Sequence, residues 1–600
     1  MKKKLILFLT TLTGIISFIP VLSAQTNNPD YPDQKPVLVL VNQVGYNLEG
    51  EKIFVLQIRD TLKKEPDPDF RIMDVSGRLV FTGKLNYQGR VNERTDNDWG
   101  ARYWSGNFSR LDTIGEYQVR LKIGTKEYYS YQFQIGHNII FKKTILPAVH
   151  FFWYQRCGTA VPGLHLACHM DDAKIPGIKG GHINATGGWH NAGDFNKYAD
   201  VSCRSVYSLI VLARNARKLG LNDSAYNKIL DEGLWGAKFL YKMWQPGKGL
   251  IYQEVWNGYD YFGRPDLETD NIVGTDDDRP IRGSAPSSMT ACALAAAARE
   301  TGNETYRKAA ENLWKTAVDS LPFDREEPWL KTSGGVPALS QDVTGRLIRR
   351  TADLLLADLE LEALTQKPRY MKNAQSCAES LLKLQKENGL WPTDIYTKLC
   401  YQGIPPAALA LYLKSHRNTS IANDILKALN LWVSRIDYLT SNPFNLIPWG
   451  KGIFFDPYLK NWGYYVGQNS QYLSNSWALY LIAPLLEDSN ATTIASRQID
   501  WILGSNPYGL CMMEGTGSFN SPFYLHRWAP DEARGSVPGA VVNGFTRVES
   551  GDTIDKPYFD LYRTPRRVSY HTSEPWEPHN AFFILAVSES VNALAKNKSK

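Results

Sequence analysis

The 600-residue sequence predicts two domains of different class, an N-terminal all-β sandwich followed by an all-α barrel. A change of rhythm carries this. Up to about Gly136, apolar and polar residues alternate with period two, as on half-buried strands. Beyond His137, apolar residues recur every three or four positions, as on helices. Long stretches rich in Gly, Pro, Asp and Trp interrupt the helical part and predict functional loops gathered at one end of the barrel.

Taken in chain order, Lys2, Lys3 and Lys4 precede an apolar run from Leu5 to Leu22 and a small-residue stop at Ser23-Ala24. That is the order of a secretory signal, so residues 1–24 are read as a signal peptide; a membrane anchor is the alternative. No cysteine near the stop offers a lipid anchor, and no later stretch is long enough to span a membrane. Export to the periplasm or the cell exterior is expected. Residues 25–35 are polar and contain Pro, a flexible lead-in.

The sandwich is placed at residues 36–137. Tyr117, Val119, Leu121 and Ile123 face one side, and Glu116, Gln118, Arg120 and Lys122 the other; Tyr129, Tyr131, Phe133 and Ile135 repeat the pattern. Asp74-Val75-Ser76-Gly77 reads as a hairpin turn. Residues 138–600 form the helical domain. Ile425, Leu429, Trp432 and Ile436 lie on one helical face, as do Leu354, Ala357, Leu361 and Leu364. Helices are predicted near 140–157, 201–219, 225–244, 284–301, 303–319, 349–366, 369–388, 402–415, 420–436, 470–487, 490–503 and 579–597. Twelve helices can pair as six antiparallel hairpins, and an all-apolar segment such as Ala291 to Ala298 suits an inner ring shielded by an outer one. The long loops fall at 158–200, 246–283, 320–348, 437–469 and 504–578.

Composition excludes several classes. The net charge of +6 arises from 67 basic and 61 acidic residues, so no basic stripe for nucleic acid is expected. Seven cysteines are too few for a disulfide framework. The 17 Trp and 32 Tyr exceed what a core of this size needs, which fits an exposed aromatic requirement.

Three segments carry candidate chemistry. In Gly187 to Tyr198, glycines allow tight turns around Asp194, which is either a reactive carboxylate or a cap for the helix near Asp200. Cys157, Cys168, His169 and His190 offer two thiolates and two imidazoles, a set for tetrahedral zinc; a Cys157–Cys168 disulfide or unrelated buried thiols are the alternatives. Cysteines 203, 292, 377, 400 and 511 read as buried small residues. In Tyr570 to Ala581, Glu574 lies among aromatics and prolines, where burial favours a neutral, proton-donating acid; Glu574 or Glu577 could instead support the last helix. Two carboxyls far apart in sequence, a cleft built on loops and surplus aromatics point to glycoside hydrolysis. Trp189, Trp256, Tyr261, Trp391, Trp462, Trp528 and Trp576 are candidates for stacking on sugar rings, and core packing accounts for any one of them equally well.

These segments resemble glycoside hydrolase family 9, in the subgroup with an N-terminal immunoglobulin-like domain. Val41 to Tyr46 resembles the start of that domain, and Gln155 to Gly158 the start of the catalytic domain. Gly187 to Tyr198 is similar to the family's Gly-Gly-Trp-[Tyr/His]-Asp-Ala-Gly-Asp segment. Leu503 to Pro507, Pro538 to Gly544, and Glu574 with Asn580-Ala581 complete the ordered series. The resemblance implies an (α/α)6 barrel and an inverting hydrolase of β-1,4-linked glucans, with Asp194 as base and Glu574 as acid. It also implies zinc on Cys157, Cys168, His169 and His190, and substrate contact at His526 and the neighbouring Arg527. Calcium sites occur in relatives, but the sequence does not place their ligands. Three positions depart from the family: Asn191 replaces a second Asp, the His-x-Arg segment reads His526-Arg527-Trp528, and Pro565 replaces an Asp. The supporting shell, which includes Asn191 and Tyr570, is therefore altered around a retained acid and base.

The alternatives are a weakened member that binds glycans without efficient turnover, and an (α/α)-barrel polysaccharide lyase hinted at by Arg563, Arg566 and Arg567. The expected partner is a β-glucan polysaccharide or oligosaccharide, and the expected state of the protein is a monomer. No carbohydrate-binding module is read after the last helix, which leans toward soluble glucans.

Overall fold

The computed structural model describes residues 35–257, 261, 263–320, 343–391, 402–448, 452–455, 467–526, 537–547, 554–561 and 570–597. Trp462, Arg527, Trp528, Cys400, Arg563, Pro565, Arg566 and Arg567 lie outside these residues, as does the leader.

The alternating first part forms nine strands: β1 (Val37–Leu40), β2 (Gly45–Asn47), β3 (Ile53–Arg59), β4 (Asp69–Asp74), β5 (Leu79–Gly89), β6 (Ala101–Asn107), β7 (Gly115–Ile123), β8 (Lys126–Tyr129) and β9 (Phe133–Gly136). Their order is β1-β3-β6-β5-β4-β7-β9-β2, with β8 on β7. The long β5 pairs with β4 up to Lys84 and with β6 from Leu85, so one strand serves both layers of the sandwich. Phe54, Phe70, Phe108, Phe133 and Val119 fill the space between them. The turn at Asp74–Gly77 is as predicted: Gly77 donates to the Asp74 carbonyl (2.9 Å) at φ +81°, where a side chain would be strained. Tyr117, Val119, Leu121 and Ile123 all point inward. Tyr129 does not; it is exposed at the end of β8, and the inward alternation resumes only with Phe133. There Ser130 turns in and bonds the Val119 backbone, which breaks the period.

The helical part contains α1 (Ile139–Tyr154), α2 (Ala199–Asn215), α3 (Asp223–Met243), α4 (Ser288–Thr301), α5 (Glu304–Ser320), α6 (Val343–Thr365), α7 (Pro368–Leu384), α8 (Ile404–Ser415), α9 (Ala422–Leu439), α10 (Asn469–Leu486), α11 (Ser489–Ile502), the single turn α12 (Tyr570–Ser573) and α13 (Glu577–Asn597). Local chemistry sets several ends. The Asn222, Ser287 and Asp488 side chains cap α3, α4 and α11, and Gly302 closes α4 in the left-handed region.

Helices α2, α4, α6, α8, α10 and α13 pack each on the next and close a ring, with α3, α5, α7, α9, α11 and α1 outside them. This is an (α/α)6 barrel. The inner α4 and α10 are buried around their whole circumference, as their composition requires. The outer α7 and α9 bury one stripe each. Links from inner to outer helices, such as 302–303, 366–367 and 487–488, are short. Links from outer to inner helices are long, so the long loops collect where all six inner helices begin.

Two of those loops are more regular than predicted. Strands β10 (Lys197–Tyr198), β11 (Trp244–Gln245), β12 (Leu250–Val255) and β13 (Ile281–Ala285) form a small antiparallel sheet beside the barrel mouth. Two-residue strands are too short to show a period in sequence.

The two domains share an apolar core in which Trp99 and Tyr103 pack with Phe444, Phe454, Phe455 and Trp501. Polar pairs fix their register. Asn42 bonds Asp500 (2.8 Å), the Gln43 amide bonds the Gly509 carbonyl (2.6 Å), and Gln57 bonds the Pro507 carbonyl (3.1 Å). The Val41–Tyr46 and Leu503–Pro507 segments are thus two sides of one interface.

Candidate active site and metal centre

Asp194 and Glu574 reach the barrel mouth from opposite ends of the catalytic chain. Asp194 precedes α2 and Glu574 precedes α13, and these two inner helices are neighbours in the ring. The loops touch at Gly193, whose N–H donates to Glu574 Oε1 (3.2 Å). A Cβ on Gly193 would overlap the Leu525 carbonyl and lie 3.3 Å from Glu574 Cγ, so only glycine fits at this contact. Asp194 is itself held by the Asn196 N–H on Oδ1 (3.0 Å). Asn191 joins its own loop to Asn196 and accepts from the Glu577 N–H through its carbonyl (3.0 Å). Its side-chain Oδ1 is buried and meets no donor among the described residues.

Below this pair, Gln155 is the hub. Its side-chain amide donates to the carbonyls of His190 (3.0 Å) and Ala192 (2.6 Å), and its Oε1 lies 2.8 Å from His526 Nε2. Burial, with His190 and His165 nearby, holds His526 well below the ordinary imidazole range, so the ring is neutral. The acid loop has its own cradle. Asn543 bonds the Glu574 carbonyl through its N–H (2.9 Å) and the Tyr570 carbonyl through its amide (2.6 Å), and His579 bonds Asn543 (2.8 Å). Asn580 ties Val541, Gly539 and Ala148 together. The Pro538–Gly544 and Asn580-Ala581 segments therefore position Glu574. Glu577, fully buried, accepts from Ser202 (3.1 Å) and links α13 to α2; burial pushes its carboxyl well above the usual range.

Cys157, Cys168, His169 and His190 converge beside the base loop. One ligand atom from each lies within 4.8 Å of the others. Cys157 Sγ is 3.8 Å from His169 Nδ1, and Cys168 Sγ is 3.7 Å from His190 Nε2. A tetrahedral zinc ion sets sulfur and nitrogen ligands about 3.6 Å apart, so the residues fit it. Both thiols are free, so the disulfide alternative is not formed. Burial lowers His190 to about 4, keeping it neutral as a ligand must be. Burial and Arg279 oppose a charge on His169, but Cys157 and Glu268 outweigh them and raise it. His169 Nε2 lies 3.3 Å from Glu268, which also pairs with Arg279 (2.6 Å), the outer support a ligating imidazole needs. Lys197, fully buried, donates to the Ala185 carbonyl and ties this region to β10. Carboxylate oxygens of Asp171, Asp277 and Asp278 also approach one another nearby, already engaged by Thr269, Thr275 and loop N–H groups.

The aromatic expectations divide. Trp189 is fully buried, with its indole N–H on Glu232 (2.7 Å), and Trp391 is buried with its N–H on the Leu381 carbonyl (2.7 Å). Both pack in the core and cannot stack on a sugar; the sequence shows an indole but not the carboxylate or carbonyl that claims its N–H. Trp256 stays partly exposed with the Arg282 guanidinium 3.5 Å over its ring. Tyr261, partly exposed beside Phe195, and Trp576, packed edge-on against His579, remain at the mouth. Gln155, Asn543 and Glu577 carry much of the positioning, yet spacing alone gives no signal for hydrogen-bonding hubs.

A closed six-hairpin barrel with two carboxyl loops meeting at its mouth follows the sandwich, and since a fold alone does not fix a chemistry, it is the family matches that identify a glycoside hydrolase. The profile for Glycosyl hydrolase family 9 matches residues 141–587, and that for the cellulase N-terminal Ig-like domain matches residues 34–126. The chain belongs to glycosyl hydrolase family 9. It is 24% identical over 543 residues to a cellodextrinase of Butyrivibrio fibrisolvens, covering 84% of this chain and 90% of that one. It is 23% identical over 608 residues to a xyloglucan-specific endo-β-1,4-glucanase of Bacteroides ovatus, covering 93% and 94%. A solved Bacteroides ovatus family 9 structure superposes with a TM-score of 0.68 at 21% identity, over 94% of this chain and all of that one. A solved Zn-binding triple mutant of the family 9 endoglucanase J30 gives 0.67 at 20% identity, over 91% and 99%.

Proposed function

We propose that the chain is an inverting hydrolase of β-1,4-linked glucans, with Glu574 as general acid and Asp194 as general base. The observation that carries this is the contact at Gly193, which brings two carboxyl loops 380 positions apart in sequence into one site. Glu574 protonates the leaving glycosidic oxygen while Asp194 takes a proton from the attacking water on the opposite face of the ring. Asn191, with its buried Oδ1 beside the base loop, offers an acceptor for that water but no charge. Losing a like-charged neighbour makes Asp194 a weaker base than an Asp–Asp pair would give. His526 and Gln155 hold the base loop in place, and Trp256, Tyr261 and Trp576 supply apolar faces for sugar rings. The relatives named above, a cellodextrinase and a xyloglucanase, support a glucan substrate.

Cys157, Cys168, His169 and His190 would hold zinc in a structural role: four protein ligands leave no position for substrate. The ion would brace the loop that carries Asp194. The leader at residues 1–24 supports export, and among the described residues no helix is long and apolar enough to cross a membrane.

The test is hydrolysis of a panel of β-glucans by the wild type and by Asp194→Ala and Glu574→Ala. Loss of at least about 10³-fold in kcat is expected in each variant; full activity in both would remove the assignment. Glycan binding without product from the wild type would favour the weakened, binding-only reading that Asn191 raises.

A further inference from the structure

A second cavity, of about 240 Å³, lies in the seam between the sandwich and the barrel. At about 30 Å³ per water it has the space of about eight waters, enough for one sugar ring. Both domains build it. Gln57 and Arg59 end β3, and Trp99 and Tyr103 flank the start of β6; Pro507 and Tyr508 follow α11, and Lys556 to Tyr558 lie ahead of α12. Gln57, Trp99, Tyr103 and Pro507 are buried and make the floor. Arg59, Tyr508, Lys556, Pro557 and Tyr558 are half-buried and make the rim. The sandwich holds this rim in place. The Trp99 indole N–H donates to the Asp555 carbonyl (3.0 Å), and the Asp555 N–H donates to Asn97 (2.7 Å). The Tyr508 hydroxyl donates to the Pro557 carbonyl (3.3 Å).

The chemistry of the walls narrows the ligand. Arg59 and Lys556 bring two cations, and neither forms an ion pair among the described residues. The Gln57 amide N–H is committed to the Pro507 carbonyl (3.1 Å), which leaves the side-chain oxygen as an acceptor. Tyr508, Tyr558 and Pro557 add carbon faces. A simple anion would use the cations alone. A sugar hydroxyl both donates and accepts, and a pyranose ring carries C–H faces, so a carbohydrate uses every wall. Cavities of this mixed lining at a domain interface are the usual place for such a ligand.

The cavity is also tied to the acid loop through the backbone. Tyr558 and Thr546 exchange hydrogen bonds (3.1 and 2.9 Å), the Gly544 N–H donates to the Thr572 carbonyl (2.9 Å), and the Asn543 N–H donates to the Glu574 carbonyl (2.9 Å). Thr546 follows Asn543 by three positions, at most about 11 Å of extended chain. A glucan held at the carboxyls has this rim within reach of a few further units.

We propose that the interdomain cavity is a remote glucan subsite, which seats one sugar of the chain that is cleaved at Asp194 and Glu574. The sandwich domain thereby takes part in substrate binding. The inference rests on the β-glucanase reading and names the substrate class within it: long β-1,4-glucan chains in preference to short ones.

The experiment measures kcat and KM on cellotriose and on a long, neutral, soluble β-1,4-glucan for the wild type, Arg59→Gln, Lys556→Ala and the conservative Lys556→Arg, with thermal unfolding as the control for folding. Arg59→Gln and Lys556→Ala are each expected to raise the long-chain KM relative to the cellotriose KM about fivefold or more, with kcat changed less than about twofold, the signature of lost uniform binding. Lys556→Arg, which keeps a cation at the rim, is expected to recover most of the loss. A KM ratio unmoved by both Arg59→Gln and Lys556→Ala overturns the subsite. Repeating the series on a carboxymethylated glucan tests the chemistry: a loss confined to that charged chain would make the cavity an anion site and overturn the proposal as well. Hydrolysis of neither neutral substrate by the wild type would bring down the β-glucanase reading itself, whereas normal hydrolysis with an unmoved ratio removes the subsite alone.

Discussion

Replacing Gly193 by Ala tests the architecture of the site without touching either carboxyl. The added Cβ would lie 3.0 Å from the Leu525 carbonyl carbon, closer still to its oxygen, and 3.3 Å from Glu574 Cγ. Carbon atoms in contact settle about 3.5–4.0 Å apart, so the base loop and the acid loop must separate by about 0.5–1 Å. Backbone cannot yield as a side-chain tip does, and the hydrogen bond from the Gly193 N–H to Glu574 breaks first. A misplacement near 1 Å costs about 10²-fold in rate, or about 2.7 kcal/mol in the barrier. The assay is kcat and KM on a soluble β-1,4-glucan, with thermal unfolding as a control for folding. The expected result is kcat down about 10²-fold with KM changed much less. A Gly193→Ala enzyme that unfolds like the wild type and keeps kcat within about threefold would show that the two loops need not meet there.

Asn191→Asp is expected to raise kcat on a β-1,4-glucan about threefold or more by restoring charge beside Asp194; an unchanged rate would show that the amide is not limiting. Purified protein is expected to carry one zinc per chain by elemental analysis, and stripping it with a chelator should lower Tm by at least about 5 °C; an unchanged Tm in verified metal-free protein would contradict a bracing role. Glu254, on β12 opposite Tyr198 and Arg282, provides a pH test. Burial, aided by Asp200 and opposed by Arg282, pushes its carboxyl from 4.5 up to about 7. The folded protein therefore holds this proton more tightly than the unfolded chain, and stability falls as pH rises from about 4.5 to about 7, by at most about 3 kcal/mol. Glu254→Gln should lose that decline, gaining on the wild type in unfolding free energy as pH rises across the window; parallel pH profiles would show that Glu254 titrates normally.

Much of the fold was legible because it follows from periodicity. All twelve barrel helices fall near their predicted positions, since each must turn an apolar face to a ring neighbour, although α6 begins six residues earlier than predicted, at Val343 rather than 349. The break from sandwich to barrel at Gly136–Ile139 is a change of period and needs no knowledge of which residues touch. What sequence could not show is which polar atom meets which. Trp189 and Trp391 look like sugar platforms until Glu232 and the Leu381 carbonyl are seen to bind their N–H groups. Gln155 is one polar residue among many, and only the folded chain reveals that it bonds His190, Ala192 and His526 together. The strands at 197–198 and 244–245 span a single period of alternation, too little to show a pattern, so these two edges of the small sheet were invisible. Cys157 and His190 lie 33 positions apart, and their convergence needs the turn at Gly187-Gly188, both at positive φ, that swings His190 back.

The most direct measurement of the central claim is the anomeric configuration of the first product, followed by NMR during hydrolysis of a β-1,4-gluco-oligosaccharide. A base and acid acting on opposite faces of the ring release the α-anomer first, which then mutarotates, and Asp194→Ala and Glu574→Ala release none on the same timescale. Initial appearance of the β-anomer would mean a covalent, retaining route, and would contradict the roles given to Asp194 and Glu574.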